Sequence, residues 1–157
     1  MRITNSFFNT ADPAPHIYVM PPSCIPSVGL GFAEFEAARN AIVGAFPHAN
    51  WDGYGALPIR EETKDNALAA LDQLTVSTCA PEISPNPNGT LSFQWETSRG
   101  FGQLEVGRTR YSLCIQPRHG SPIMEAGMAS EIDPTVGHLL DALLYPKPSR
   151  PLSRIHP

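Results

Sequence analysis

The hydrophobic pattern of this chain changes its period once, near residue 82, and that change constrains the fold more than any other feature. Before it, apolar residues recur every three or four positions, which predicts amphipathic helices at about 32–46 and 60–74. After it, apolar and polar residues alternate, which predicts strands with one buried and one wet face. The turns between these strands are short and permit only antiparallel pairing, so we expect a three- to four-stranded antiparallel β-meander.

The two N-terminal helices are suited to cover this meander, because a sheet with one apolar face needs a second layer. A third helix should begin at Asp133-Pro134, with Asp as N-cap and Pro in the first helical position. The sequence therefore predicts an α+β fold: two helices packed on the meander, followed by a C-terminal helix. The expected buried residues are Phe35, Ile42, Leu68, Leu71, Phe93, Trp95, Leu104, Leu113 and Ile115.

The distribution of prolines divides the chain into three parts. Residues 1–31 are predicted to be an irregular Pro-rich N-terminal arm, in which Ile17–Met20 has the composition of a short edge strand. Residues 32–145 form the single α+β domain, with a loose segment expected at about 117–131. Residues 146–157 are predicted to be a Pro-rich basic tail.

The charge of the chain favours a protein partner over a nucleic acid. The 157 residues carry a net charge of −4 at pH 7. Residues 1–146 hold 8 basic and 15 acidic side chains, a net charge of −7. Such a body repels a phosphate backbone and can attract a basic protein. Since the sequence also has no helix-turn-helix pattern, we expect no direct binding of nucleic acid.

Cysteine usage and hydropathy predict a cytoplasmic protein without a membrane segment. The three cysteines are odd in number, widely spaced and without a CxxC motif, which is typical of reduced thiols and not of a disulfide framework: Cys24, Cys79 and Cys114. The first residues lack the apolar run of a signal peptide, and no stretch approaches the roughly 18 apolar residues of a membrane span.

The sequence contains no convincing catalytic or metal-binding constellation. Cys114 lies in a predicted strand with no histidine nearby in sequence, and the five histidines are scattered without ligand spacing. Asp52 with Glu61 and Glu62 has the residue types of a metal site, but a solvated acidic first turn of a helix is the more common role. We therefore predict no cofactor and no metal.

The connector between the first two helices is the most distinctive local segment: Asn50-Trp51-Asp52-Gly53-Tyr54-Gly55-Ala56-Leu57-Pro58-Ile59. Two glycines permit positive φ, and Asp52 is suited to accept hydrogen bonds from the turn's backbone. Its aromatic residues have two interpretations. Trp51 and Tyr54 can fill the junction between helices and sheet, or they can form an exposed binding site, for which Tyr54 between two glycines is the better candidate.

This loop resembles a signature of small uncharacterised bacterial proteins, many of them from phages and mobile genomic islands. The matching pieces are Asn50 to Ala56, Pro58-Ile59, the helix with Asn66-Ala67-Leu68, the Pro-rich turn at 81–89, and Trp95-Glu96 in the meander. The resemblance covers about residues 48–116. It implies a setting in phage or mobile-element biology, with toxin–antitoxin or host-defence systems nearby, and it carries no catalytic residues with it.

Together these features predict a non-enzymatic protein-binding inhibitor or regulator, either a counter-defence protein or an antitoxin-like partner. The predicted partner-binding residues are Trp51, Asp52, Tyr54, Gln94 and Glu96. The alternative is a small enzyme with its site between the Trp51–Tyr54 loop and the polar sheet face, using Asp52 and Glu96. The apolar stripe of the C-terminal helix can complete the core or form a homodimer seam through Leu139, Leu140 and Leu143.

Overall fold

A computed structural model describes residues 30–74 and 79–145, which form three helices and a five-stranded sheet. The elements in chain order are α1 (Leu30–Val43), α2 (Glu61–Leu74), β1 (Glu82–Pro85), β2 (Leu91–Thr97), β3 (Gly100–Val106), β4 (Arg110–Pro117), β5 (Ile123–Met128) and α3 (Thr135–Leu144). Neighbouring strands are antiparallel, and their order in the sheet follows the chain. The predicted α+β class and antiparallel meander are confirmed.

The helices cover one face of the sheet, and within residues 30–74 and 79–145 the other face is left open. α1 packs on α2 and lies beside β1, α2 lies over β2 and β3, and α3 lies over β3 and β4. Adjacent strands place Phe93, Leu104 and Leu113 in one cross-strand row on the covered face. The expected core is confirmed: the strand residues and Ile42 and Leu71 are buried, and Phe35 and Leu68 pack against them half-buried.

The C-terminal helix approaches the sheet at a glycine. A Cβ atom on Gly102 would lie 2.9 Å from Leu140 Cδ2 and 2.9 Å from Leu144 Cδ1. Leu140 is fully buried, and Leu139 and Leu143 pack half-buried against the core cluster. The helix begins at Thr135, whose N–H donates to Asp133 Oδ1 at 2.8 Å. Most of the apolar stripe therefore serves this chain's own core.

The predicted strand count of three to four is wrong, because residues expected to be loose form β5. Glu125 and Gly127 share the covered face with Ile123, while Met124, Ala126 and Met128 face the open side. This reverses the usual apolar-inside alternation and hides the strand from a periodicity analysis. Gly127 is required by its neighbour: a Cβ there would lie 2.7 Å from Tyr111 Cε1.

The first helix also differs from its predicted bounds. It ends at Val43 and not near 46, because Gly44 follows and the Ala45 N–H bonds to Ile42 O in a tighter turn. Phe46 thus falls outside the helix and is 48% exposed, and Phe32 is 75% exposed.

Several predictions fall on residues that are not described. The arm up to residue 29, the short strand at Ile17–Met20, Cys24 and the tail 146–157 lie outside the described residues. Within the described ranges, the helices have 10 to 14 residues, and none is long and apolar enough to cross a bilayer.

Candidate functional site

The connector between α1 and α2 folds into a loop held together by its own polar groups. Asp52 Oδ1 accepts the backbone N–H of Tyr54 at 2.8 Å and that of Ala56 at 3.1 Å. Asn50 Oδ1 accepts the N–H of Gly55 at 2.8 Å, and the Asn50 N–H donates to Ala56 O. The Asp52 carboxylate therefore organises the loop, as its position in the turn predicts.

The two glycines of the loop adopt the positive φ angles that the sequence analysis anticipated. Gly53 has φ +78° and Gly55 has φ +92°, in the left-handed region that favours glycine. Asn50 also has a positive φ of +58°, which asparagine tolerates better than most residues. With these three positions fixed, the chain reverses sharply around Tyr54.

Two backbone hydrogen bonds attach the loop to the body of the protein. The Leu57 N–H donates to Pro87 O in the turn between β1 and β2 at 2.8 Å. The Ile59 N–H donates to Phe46 O at 2.9 Å, which closes the connector at its base. Ile59 itself is buried in the core. The loop is thus anchored at its base to both the helical layer and one end of the sheet.

Trp51 supports the loop at the surface and does not fill the helix–sheet junction. Its indole ring stacks on Phe46, with centroids 4.9 Å apart and planes 8° from parallel. The indole N–H donates to Leu57 O at 3.0 Å. Trp51 is half-buried and lies outside the core cluster, whereas Trp95 is the tryptophan that fills the core. Trp51 therefore supports the loop from beneath, a role that differs from the predicted filling of the helix–sheet junction.

Tyr54 occupies the tip of the loop with its side chain 95% exposed. Two partly exposed apolar side chains lie in the same connector region, Phe46 at 48% and Leu57 at 55%. An aromatic side chain this exposed contributes nothing to the core. Because its backbone is held by the hydrogen bonds around Asp52, its position is nevertheless well defined.

The other two predicted site residues lie elsewhere on the molecule. Gln94 and Glu96 are on the open face of β2, since Trp95 between them points into the covered face. Thr90 lines the same depression as Leu57. Glu96 is six residues further along the chain, which corresponds to roughly 20 Å of strand.

Glu96 instead borders a shallow depression of about 410 Å³ at the far end of the sheet, lined by Thr97, Ser98, Gly100, Phe101, Gln116, Pro117 and Arg118. Glu96 thus lies at the end of β2 away from the turn to which the connector is attached, whereas Asp52 lies in that connector.

A polar network next to the loop was not anticipated from the sequence. On the open face the buried Ser92 hydroxyl accepts from Asn86 Nδ2 at 2.8 Å and from Gln103 Nε2 at 3.1 Å. In the same turn Asn88 and the Thr90 hydroxyl both donate to Glu105 Oε1. This network fixes the β1–β2 turn to which the loop is attached. Its signal is the Asn-Pro-Asn-Gly segment, which by itself indicates only a turn.

Two arginines flank a depression beside the base of the loop. It has a volume of about 340 Å³ and is lined by Leu57, Pro58, Arg60, Thr63, Asn88, Gly89, Thr90 and Arg108. Within the described residues neither Arg60 nor Arg108 forms a salt bridge. Both arginines therefore lie near the base of the connector loop, beside Leu57 and Pro58.

Comparisons of the chain with protein-family models, with curated proteins and with solved structures found no match.

Proposed function

We propose that this chain is a non-enzymatic protein-binding inhibitor or regulator, of the counter-defence or antitoxin-like kind found in phages and mobile elements. The partner contacts the Tyr54 tip of the connector loop. The observation that carries the proposal is the 95% exposure of an aromatic ring on a loop held by internal hydrogen bonds.

Tyrosine at such a position has the properties of an interface anchor. Tyr, Trp and Arg are enriched among the residues that carry most of the binding energy of protein interfaces. The loop is already ordered by Asp52, Asn50 and the stacked Trp51, so binding need not order it. Association then loses less conformational entropy than it would with a flexible loop.

The surroundings of Tyr54 suggest the chemistry of the contact. Leu57 and Phe46 can extend an apolar contact around the ring, and Arg60 and Arg108 can receive an acidic side chain of the partner. The chain as a whole carries a net charge of −4, which favours encounter with a basic partner. An exposed aromatic tip, with two arginines near the base of its loop and a net negative charge on the whole chain, is a combination that selects among partners.

Affinity capture from bacterial lysate with the whole chain as bait tests this function. Tyr54→Ala should keep its free energy of unfolding within about 1 kcal/mol of wild type, because the side chain is exposed. It should lose the captured partner, with a decrease in affinity of about 2 kcal/mol or more, roughly 30-fold. Tyr54→Phe keeps the ring and should retain most of the binding.

Phe32→Ala provides a matched control, because Phe32 is a 75% exposed aromatic residue on α1, away from the loop. It should leave both capture and stability unchanged. The proposal is wrong if Tyr54→Ala captures the same partner with the same affinity as wild type. It is equally wrong if Phe32→Ala and Tyr54→Ala lose binding to the same extent.

A further inference from the structure

Strand β5 forms an edge of the sheet that no described element covers. α1 lies beside β1 at the opposite edge, and α3 packs mainly on β3 and β4. β5 has few of the usual protections of an edge strand: it contains no proline, and its one charged residue is Glu125 on the covered face. On the open face, Met124 is 78% and Met128 is 54% exposed.

The register of the sheet shows which backbone groups of this edge point outward. The Gly107 N–H donates to Arg110 O, so the backbone N–H and C=O of Arg110 point to β3. Successive residues of a strand alternate, so those of Tyr111 point to β5. Tyr111 is opposite Gly127, and the Ala129 N–H bonds to Thr109 O, which gives the same alternation.

The backbone N–H and C=O groups of Gly127 and Ala129 therefore point to β4. The corresponding groups of Met124, Ala126 and Met128 point away from the sheet. Among the described residues, the one hydrogen bond to these outward groups is from the Glu131 N–H to Met128 O, an oxygen with a second lone pair.

The sequence of β5 is self-complementary about its central alanine. In an antiparallel pair centred on Ala126, Met124 lies opposite Met128 of the second copy, and Glu125 lies opposite Gly127. The exposed methionines then cover each other on one face. On the other face the two glutamates are diagonal, and each faces a residue without a side chain. A pair centred on Glu125 would instead set two carboxylates directly opposite each other, which destabilises a sheet.

We propose that two copies of this chain pair through β5, with a two-fold axis perpendicular to the sheet at Ala126. The two sheets join into one antiparallel sheet of ten described strands, and both helical layers lie on the same side. The residues Met124, Ala126 and Met128 form three hydrogen-bonded pairs across the axis. The dimer displays two Tyr54 loops, but it does not depend on what those loops bind.

Charge substitutions at the two methionines test both the dimer and its register. Sedimentation equilibrium of the whole wild-type chain should give twice its mass of 17.0 kDa. Met124→Lys combined with Met128→Lys sets like charges opposite each other twice and should raise the dimer dissociation constant about tenfold or more. Met124→Glu with Met128→Glu should do the same, which separates repulsion from a change in net charge.

Met124→Lys combined with Met128→Glu is the matched control, since the same positions then carry opposite charges across the axis. This variant should remain dimeric, with a dissociation constant at least tenfold lower than that of the two repelling variants. Circular dichroism should show all three variants folded, because both side chains are exposed.

A second probe acts on the backbone. Ala126→Pro removes an outward N–H without breaking the ladder to β4, and should also dissociate the dimer. A monomeric wild-type chain overturns the proposal, including the case in which residues 1–29 occupy the edge. A wild-type dimer that the two repelling variants and Ala126→Pro leave as stable as wild type also overturns it, and assigns the interface to another surface.

Discussion

Substitution of Gly102 by alanine is the sharpest test of how the C-terminal helix is seated. The glycine lies on β3 beneath α3, and an added Cβ would approach Leu140 Cδ2 and Leu144 Cδ1 to 2.9 Å each. Carbon atoms in favourable contact are about 3.5–4.0 Å apart. Each leucine end would therefore have to move by about 0.6–1.1 Å, in a region where both side chains are buried.

The expected magnitude is the difference between two opposing effects. Overpacking of a well-packed core costs about 1–3 kcal/mol. Replacing glycine by alanine within a strand recovers about 0.5–1 kcal/mol of conformational entropy. We expect Gly102→Ala to lower the free energy of unfolding by about 1–2 kcal/mol, since the clash involves two side chains at once. For a chain of this size each kcal/mol corresponds to about 2–4 °C in Tm.

Urea unfolding followed by circular dichroism measures this change, and a double-mutant cycle identifies its cause. Leu144→Ala alone should cost about 2–5 kcal/mol as a large-to-small core substitution. In that background one of the two clashes is gone, so Gly102→Ala should cost less, with a coupling energy of about 0.5 kcal/mol or more. Gly31→Ala is the matched control, since a Cβ there meets no atom within 4 Å. An unchanged or raised stability of Gly102→Ala, or strict additivity with Leu144→Ala, would refute this account of the helix–sheet contact.

Two further predictions concern the loop and the buried tyrosine. Asp52→Ala removes the acceptor of two backbone N–H groups and should cost about 1 kcal/mol or more in urea unfolding, whereas Asp52→Asn keeps an oxygen acceptor and should cost less. Amide hydrogen exchange should show lost protection at Tyr54 and Ala56 in the alanine variant alone, and equal protection in both variants would contradict this role. Burial raises the pKa of the Tyr111 hydroxyl above its usual 10.0, so the folded state holds this proton more tightly than the unfolded chain. This contribution to stability is present below about pH 10 and is lost as pH rises further. Tyr111→Phe should therefore reduce the loss of unfolding free energy above that pH. An identical dependence of the unfolding free energy on alkaline pH in the variant and wild type would contradict this prediction.

The parts of the fold that could be predicted from sequence are those in which burial follows a simple period. The face of α2 and the alternation of Leu91, Phe93 and Trp95 each place apolar residues on one side, and the structure buries them there. β5 could not be predicted in this way. Its covered face carries Glu125 and Gly127, and the ring of Tyr111 occupies the space that a side chain at 127 would need. A close contact between two strands thus decides the residue type at 127, and periodicity within one strand does not contain that information.

The candidate site was predictable to a similar extent. The turn role of Asp52 follows from local chemistry, since a short carboxylate caps nearby N–H groups. The two flanking glycines favoured exposure of Tyr54 over a core position, and the structure decides between these interpretations. The position of Trp51 was not predictable, because its partner Phe46 was assigned to a helix that ends at Val43. The separation of Glu96 from Asp52 likewise depends on where the connector meets the sheet.

Different residues of the loop support its structure and form its proposed binding surface, so these two roles can be separated by experiment. The Asp52 carboxylate accepts hydrogen bonds from the loop backbone. The Trp51 ring stacks on Phe46, and its N–H donates to Leu57 O. We therefore expect substitution of either residue to disorder the loop, so that any change in partner binding comes with changes in stability and hydrogen exchange. Tyr54 makes no such contribution through its side chain, which is 95% exposed. A loss of binding without a loss of stability is thus expected at Tyr54 alone among these three residues, and that pattern distinguishes a binding epitope from a loop whose aromatic residues only support the fold.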